Sequence, residues 1–214
     1  MLIPRLLLII APCFLTACST PMYALNDYVH FKKQTTTAAV AKTPLNPAFQ
    51  YLLVTIGGKS FLMARGGVEN APDGPVELWY SGSREVIRMQ NGRIVAASGT
   101  PIEWSDVSLS AQPAWEDVTG PSRIERRRDV MPGYRFGLKD ALTVAPVAAP
   151  SRTAFYGKLP GDLHWFTEVS AGPYALPTSR YAVRFDGSRT EVIYGEQCLA
   201  ESFCFSWQRW PNRT

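Results

Sequence analysis

Apolar and polar positions alternate in short runs along most of this chain, and the runs are broken by Gly, Asn, Asp, Ser or Pro. That period, with frequent punctuation, predicts strands joined by tight turns rather than helices. The clearest case is residues 77–104, centred on Asn91-Gly92. A two-residue Asn-Gly loop needs positive φ at both positions, and its twist suits the strands that it joins. The implied register sets Met89 against Ile94, Ile87 against Ala96 and Val86 against Ala97. Glu85, Ile87 and Met89 then share one face, and Val86, Arg88 and Gln90 share the other. Residues 77–80 predict a preceding strand, and Gly99-Thr100-Pro101 turns the chain towards Trp104, which makes a meander.

The same reading extends outwards. Residues 49–56 are apolar almost throughout and predict a central strand, paired with residues 59–65 across Gly57-Gly58. Residues 66–74 read as a loop, and 105–120 as a polar stretch that Trp115 pins to the body. In the charged run 123–129, strand geometry puts Arg123, Glu125, Arg127 and Asp129 on one face. Ile124, Arg126, Arg128 and Val130 fall on the other. Met131-Pro132-Gly133 turns into a strand over 134–144, in which Gly137 marks a bulge or close approach, and 145–150 reads as a linker or edge loop. Further strands are expected at 164–169, 181–185 and 191–194, with 203–210 closing the chain. The fold class expected is all-β, a mainly antiparallel open barrel or sandwich built from meanders and hairpins.

Several of these segments carry a resemblance. Leu78-Trp79-Tyr80-Ser81, an apolar strand, Asn91-Gly92-Arg93-Ile94-Val95, Gly99-Thr100-Pro101 and Trp104 together resemble the YjbF/GfcB family of bacterial lipoproteins. The likeness runs from about residue 49 to about 142, takes in the DVMPGYRFG segment at 129–137, and weakens after 150. That family is associated with exopolysaccharide and group 4 capsule production. The resemblance implies a β-rich fold, a pathway and a cellular location, but no reaction.

The N-terminus reads as a targeting segment. Arg5 precedes an apolar run over 6–15, too short to span a bilayer comfortably, which ends in Leu15-Thr16-Ala17-Cys18. This resembles a lipobox, where cleavage leaves Cys18 as the acylated first residue; an ordinary secretory signal or a plain anchor are the alternatives. Ser19 fits an outer-membrane sorting pattern on the periplasmic face. Residues 1–17 are thus expected to be a signal peptide, 18–47 a lipidated N-terminus and tether, and 48–214 one β-rich domain. A short helix or strand docked on that domain is the alternative for the tether. Cys13 leaves with the signal and Cys18 takes lipid, so Cys198 and Cys204 remain as a pair expected to form a disulfide in an oxidising compartment.

Charge adds little. Cleavage removes Arg5 from 22 basic residues and nothing from 18 acidic ones, leaving a slightly basic chain with no pull towards nucleic acid. No P-loop, dinucleotide fingerprint, zincin motif or nucleophile elbow occurs, and no catalytic residue, metal or cofactor is expected. His30 falls in the tether, and His164 reads as an ordinary strand residue. Glu77, Glu103 and Asp129 are the carboxylates to inspect for a glycosidase pair. Trp79, Trp104, Arg126 and Arg128 offer stacking faces and guanidinium forks for an acidic polysaccharide or a partner. Their competing reading, as core aromatics and internally paired arginines, is the stronger one.

The expectation is a non-enzymatic accessory or assembly factor of exopolysaccharide or capsule production or export. It is held to the membrane by its lipid and works with other secretion proteins and polysaccharide. A carbohydrate-binding module is the alternative, and a polysaccharide-modifying enzyme a weaker one. An exposed Trp row beside Arg128 would mark the second, and a cleft with two carboxylates the third.

Overall fold

The computed structural model describes residues 36–110, 112–187 and 189–211. In chain order the strands are β1 (Tyr51–Ile56), β2 (Lys59–Ala71), β3 (Gly74–Ser81), β4 (Val86–Gln90), β5 (Arg93–Ser98) and β6 (Glu103–Leu109). They continue as β7 (Ser122–Met131), β8 (Arg135–Val147), β9 (Leu163–Ala171), β10 (Ser179–Asp186), β11 (Arg189–Ala200) and β12 (Phe203–Trp210). Each pairs antiparallel with its neighbour in sequence, and β1 also pairs with β12, from Tyr51 opposite Trp210 to Ile56 opposite Phe205. The all-β antiparallel fold is as expected, and the β1–β12 pairing closes the ring that the sequence left open. Because the ring is a simple meander, the turns after odd strands gather at one rim and those after even strands at the other. We call these the first and second rims.

Apolar side chains face inward. Along β7, Ile124, Arg126, Arg128 and Val130 are buried while Arg123, Glu125 and Arg127 are exposed. The interior holds one large apolar cluster that includes Leu52, Met63, Trp79, Ile94, Trp104, Leu142, Tyr181 and Trp207, with buried charged residues beside it. A transmembrane barrel has the opposite arrangement, with an apolar outer band and a polar lumen. Among the described residues no helix is long and apolar enough to cross a membrane.

The outer wall of β9–β12 is also covered. Phe155, Leu159 and Leu163 pack on Trp165, Ala182 and Tyr194 from outside the ring. The backbone N–H of Ala154 donates to the Tyr194 hydroxyl at 2.9 Å, and that of Tyr156 to Gln208 Oε1 at 2.7 Å. This strap explains why β11 is buried at successive positions instead of every second one.

Turn chemistry follows the sequence closely. Gly57 and Gly58 have φ of 54° and 78°, and Asn91 and Gly92 have 49° and 79°, the paired positive values of a primed hairpin turn. Met89 faces Ile94 as expected, but a bulge next to it moves Ile87 opposite Ala97 and Val86 opposite Ser98. The bulge inserts one extra residue, which an alternating pattern does not mark. Residues 66–71 are not loop but the far half of β2, which bulges between Arg65 and Gly67. At Gly66 a Cβ would lie 2.5 Å from the Tyr80 ring, so the glycine lets the two strands approach. Likewise β8 runs on to Val147, through half of the expected linker.

The expected tether is docked over its last part. Helix α1 (Thr37–Ala41) is capped by the Thr36 hydroxyl, packs on β2 and buries Val40. The Thr37 hydroxyl lies 2.8 Å from that of Ser60, at the first-rim end of β2. One apolar side chain in a Thr/Ala run is too weak a signal for a sequence pattern to place. Cys18 and His30 lie outside the described residues.

Candidate functional site in the barrel interior

Inward-facing charged residues on four strands form a linked ion-pair network. Arg126 and Arg128 on β7 both grip Asp140 on β8. Arg126 Nε and Nη2 donate to Oδ2 at 3.0 and 2.9 Å, and Arg128 Nε and Nη2 donate to Oδ2 and Oδ1 at 2.9 and 3.1 Å. On β9, Glu168 accepts from Arg93 Nε of β5 at 2.8 Å and lies 3.8 Å from Arg126. Asp140 has no exposed surface, and the three arginines and Glu168 are buried with it. Such pairs survive burial only when nearly every lone pair and N–H is used.

Aromatic rings complete the lining. Arg126 and Arg128 lie over the Trp104 ring at 4.9 and 5.1 Å, and Arg93 over Trp115 at 4.1 Å. Trp115 sits in a 3-10 turn (Trp115–Asp117) within the β6–β7 connection. It packs on Phe166 and Tyr181 and donates Nε1–H to the Asn91 carbonyl at 3.0 Å. Residues 105–109 of the expected polar loop are instead part of β6, paired with β7; the rest is pinned by Trp115 as expected, and that pin plugs the second rim. Arg93 Nη1 and Nη2 have no hydrogen-bond partner among the described residues, so ring stacking and Glu168 alone hold that guanidinium. Gln197 bridges the sheet: its Oε1 accepts from Ile94 N–H and Tyr181 O–H, and its Nε2 donates to Gly92 O.

Burial acts on these groups in a consistent direction. Desolvation pushes the Arg128 pKa below its usual value, and the hydrogen bond and charge of Asp140 oppose that. Desolvation raises the Tyr181 pKa far above normal, with the Glu168 charge adding to it. The network therefore keeps Tyr181 neutral and holds fixed charges in place.

The four residues offered for saccharide or partner contact are thus inside the ring. Trp104, Arg126 and Arg128 come together, while Trp79 lies apart from that trio, with Arg209 over its ring at 5.2 Å. They form no exposed row. The arginines are internally paired, as the competing reading has it, with Asp140 and Glu168, and not with Glu125 and Asp129 of their own strand. Those two acids face outward: Glu125 pairs with Lys139 at 3.4 Å, and Asp129 accepts from Gly137 N–H at 2.6 Å.

Of the three carboxylates picked for a glycosidase pair, Glu103 and Asp129 are diagonal neighbours on β6 and β7, and Glu77 is on β3. Glu77 is clamped by Arg209 through Nη1 and Nη2 at 3.0 and 2.7 Å, and also by Arg65. Glu103 accepts from Gly99 N–H at 2.7 Å. His164 is an exposed β9 residue whose ring lies 4.8 Å from Phe185. Cys198 and Cys204 face each other across β11 and β12 and are joined by a disulfide. Among the described residues no group of three His, Cys, Asp or Glu could hold a metal.

Sequence reasoning missed Asp140, Glu168 and Gln197. Asp140 sits at an inward position of the alternating strand β8, a signal that could have singled it out, whereas β9 and β11, which carry Glu168 and Gln197, do not alternate strictly.

Fold and interior define a class: a closed, twelve-stranded antiparallel barrel with an ion-paired core and a disulfide-linked hairpin. A solved structure with a similar fold is the hypothetical lipoprotein YmcC from Escherichia coli K12, with a TM-score of 0.57 and 14% identity over 92% of this chain and 100% of that one. At that identity the likeness concerns the fold. No protein-family model matches the chain, and no curated protein matches it.

Proposed function

We propose that this chain is a lipid-anchored envelope protein, on the periplasmic face of the outer membrane, that serves exopolysaccharide or capsule production or export as a non-enzymatic accessory or assembly factor. The observation that carries this reading is the fold held in common with a protein described as a hypothetical lipoprotein, in a chain whose own head reads Leu15-Thr16-Ala17-Cys18. The spent state of the interior charges supports it, because arginines already committed to buried carboxylates form a rigid scaffold. The test is Cys18→Ser. Lipid labelling is expected to vanish, the protein to leave the membrane fraction and polysaccharide output to fall. Unchanged labelling and fractionation would sink the anchored reading.

Saccharide binding is a second reading, and one observation favours it. A cleft of about 340 Å³ on the second rim is lined by Phe49, Tyr51, Phe155 and Trp210 together with Asn46 and Glu191. Aromatic faces for the apolar side of a sugar ring, beside an amide and a carboxylate for its hydroxyls, are the mix such a ligand needs. Calorimetric titration with the polysaccharide of the producing cell is expected to give binding that Trp210→Ala weakens at least about tenfold, the loss of one good stacking contact. Equal affinity in the variant would remove this cleft from consideration.

A further inference from the structure

The first rim carries exposed aromatic side chains that the interior and the cleft do not use. In the β7–β8 turn, Tyr134 is 75% exposed and Phe136 62%, with the exposed Arg135 between them. Tyr134 has φ of 51°, a conformation strained for a bulky side chain. Its neighbours hold it there: Gly133 has φ of 107°, and Gly137, at 63°, is tied by its N–H to Asp129. Strained backbone that presents bare aromatic surface to water points to something outside the barrel that covers it.

The rest of the rim agrees. Tyr174, in the β9–β10 loop, is 44% exposed, and its carbonyl is anchored by Arg128 Nη2 at 2.8 Å. Lys59 and Arg84 are exposed on the same rim, while Glu85 and Glu103 are turned back onto Ser81 and the Gly99 N–H. The remaining exposed acid there is Glu201. The described chain also begins at this rim, where Thr37 meets Ser60. Roughly 17 residues separate it from Cys18, a reach of up to about 60 Å when extended.

We propose that the first rim is a lipid-facing surface. Tyr134 and Phe136 enter the interfacial layer of the bilayer that holds Cys18, with Arg135, Arg84 and Lys59 at the level of the phosphates. The proposal rests on the anchored reading for the position of the bilayer. Amphipathic and aromatic rings favour that layer, and cationic side chains beside them add attraction to anionic headgroups. An acyl chain alone tethers the protein without orienting it, so the rim would fix which end of the barrel meets the membrane.

Photocrosslinking in the full chain tests this. The photoreactive p-benzoylphenylalanine replaces Phe136 or, as a control on the opposite half of the ring, Val68, which is 50% exposed on β2. Envelopes are irradiated, and the adducts and the Cys18 peptide are read by mass spectrometry; unchanged melting confirms the fold of each variant. Acylated Cys18 with a phospholipid adduct at 136 and background at 68 is the expected result. Acylated Cys18 with a protein adduct at 136, or with no adduct above that at 68, overturns the rim and leaves the anchor standing. Unacylated Cys18 sinks the anchored reading instead, and the rim then stands or falls on whether a phospholipid adduct at 136 persists.

Discussion

Asp140 is the residue on which the interior turns. It has no surface in contact with solvent, yet it accepts from two arginines that would otherwise be buried cations. Removing one partner from such a group is far worse than never having built it, because the remaining charge stays buried and unpaired. Asp140→Asn keeps the shape and deletes the charge. It is expected to lower stability by about 3 kcal/mol or more, from the usual cost of breaking a buried pair. Denaturant unfolding measures this, and a midpoint equal to the parent's would show that the network contributes little. Trp104 belongs to the same argument: two guanidinium groups lie over its ring, and its Nε1–H donates to the Leu199 carbonyl at 2.9 Å, so it is fixed by charge and hydrogen bond as much as by packing.

Among the elements, the β4–β5 hairpin shows how turn chemistry and tertiary packing reinforce each other. Gly92 is needed first for its φ of 79°. It is needed again because a Cβ there would lie 2.7 Å from the Val192 side chain on β11. The turn is tucked against the body, with the carbonyls of Asn91 and Gly92 accepting from Trp115 and Gln197. Gly92→Val therefore combines backbone strain with overpacking, for an expected loss of about 3 kcal/mol, and abundance in the envelope should fall with it. Thermal melting and envelope immunoblots check both. A variant as stable and abundant as the parent would remove the turn assignment.

For the molecule as a whole, the strength of the ring varies around its circumference. β1 and β12 pair over their full facing length, whereas β5 and β6 are joined by a single residue pair, Ala97 opposite Trp104. The β5–β6 junction is consequently the place where the ring opens at least cost, since few backbone hydrogen bonds cross it. Hydrogen exchange is expected to be about tenfold faster for amides flanking that junction than for β1 and β12, a difference of ~1.4 kcal/mol in local opening. Uniform protection around the barrel would contradict this. Closure itself removes the exposed edges that an open sheet of this size would offer to other chains.

The sequence by itself determined most of the strands, though not β6 or the far half of β2, together with the two primed turns and the inward and outward faces of β7. Each is a local matter: a period of two, or a φ that only certain residues accept. It also set the disulfide pair, because once Cys13 and Cys18 are read as part of the targeting segment the count leaves one pairing. It could not determine which acid answers which arginine. Asp140 meets Arg126 and Arg128 through the β7–β8 register, which a bulge between Arg128 and Val130 shifts, and Glu168, 75 residues from Arg93, meets it only across the interior of the curved ring. The bulge beside Met89, the docking of Val40 and the plugging of the second rim by Trp115 were likewise decided in three dimensions. The same holds for ring closure. A meander reads identically whether its last strand meets its first or stops short, and the accumulated twist and bulges of all the intervening strands decide which occurs.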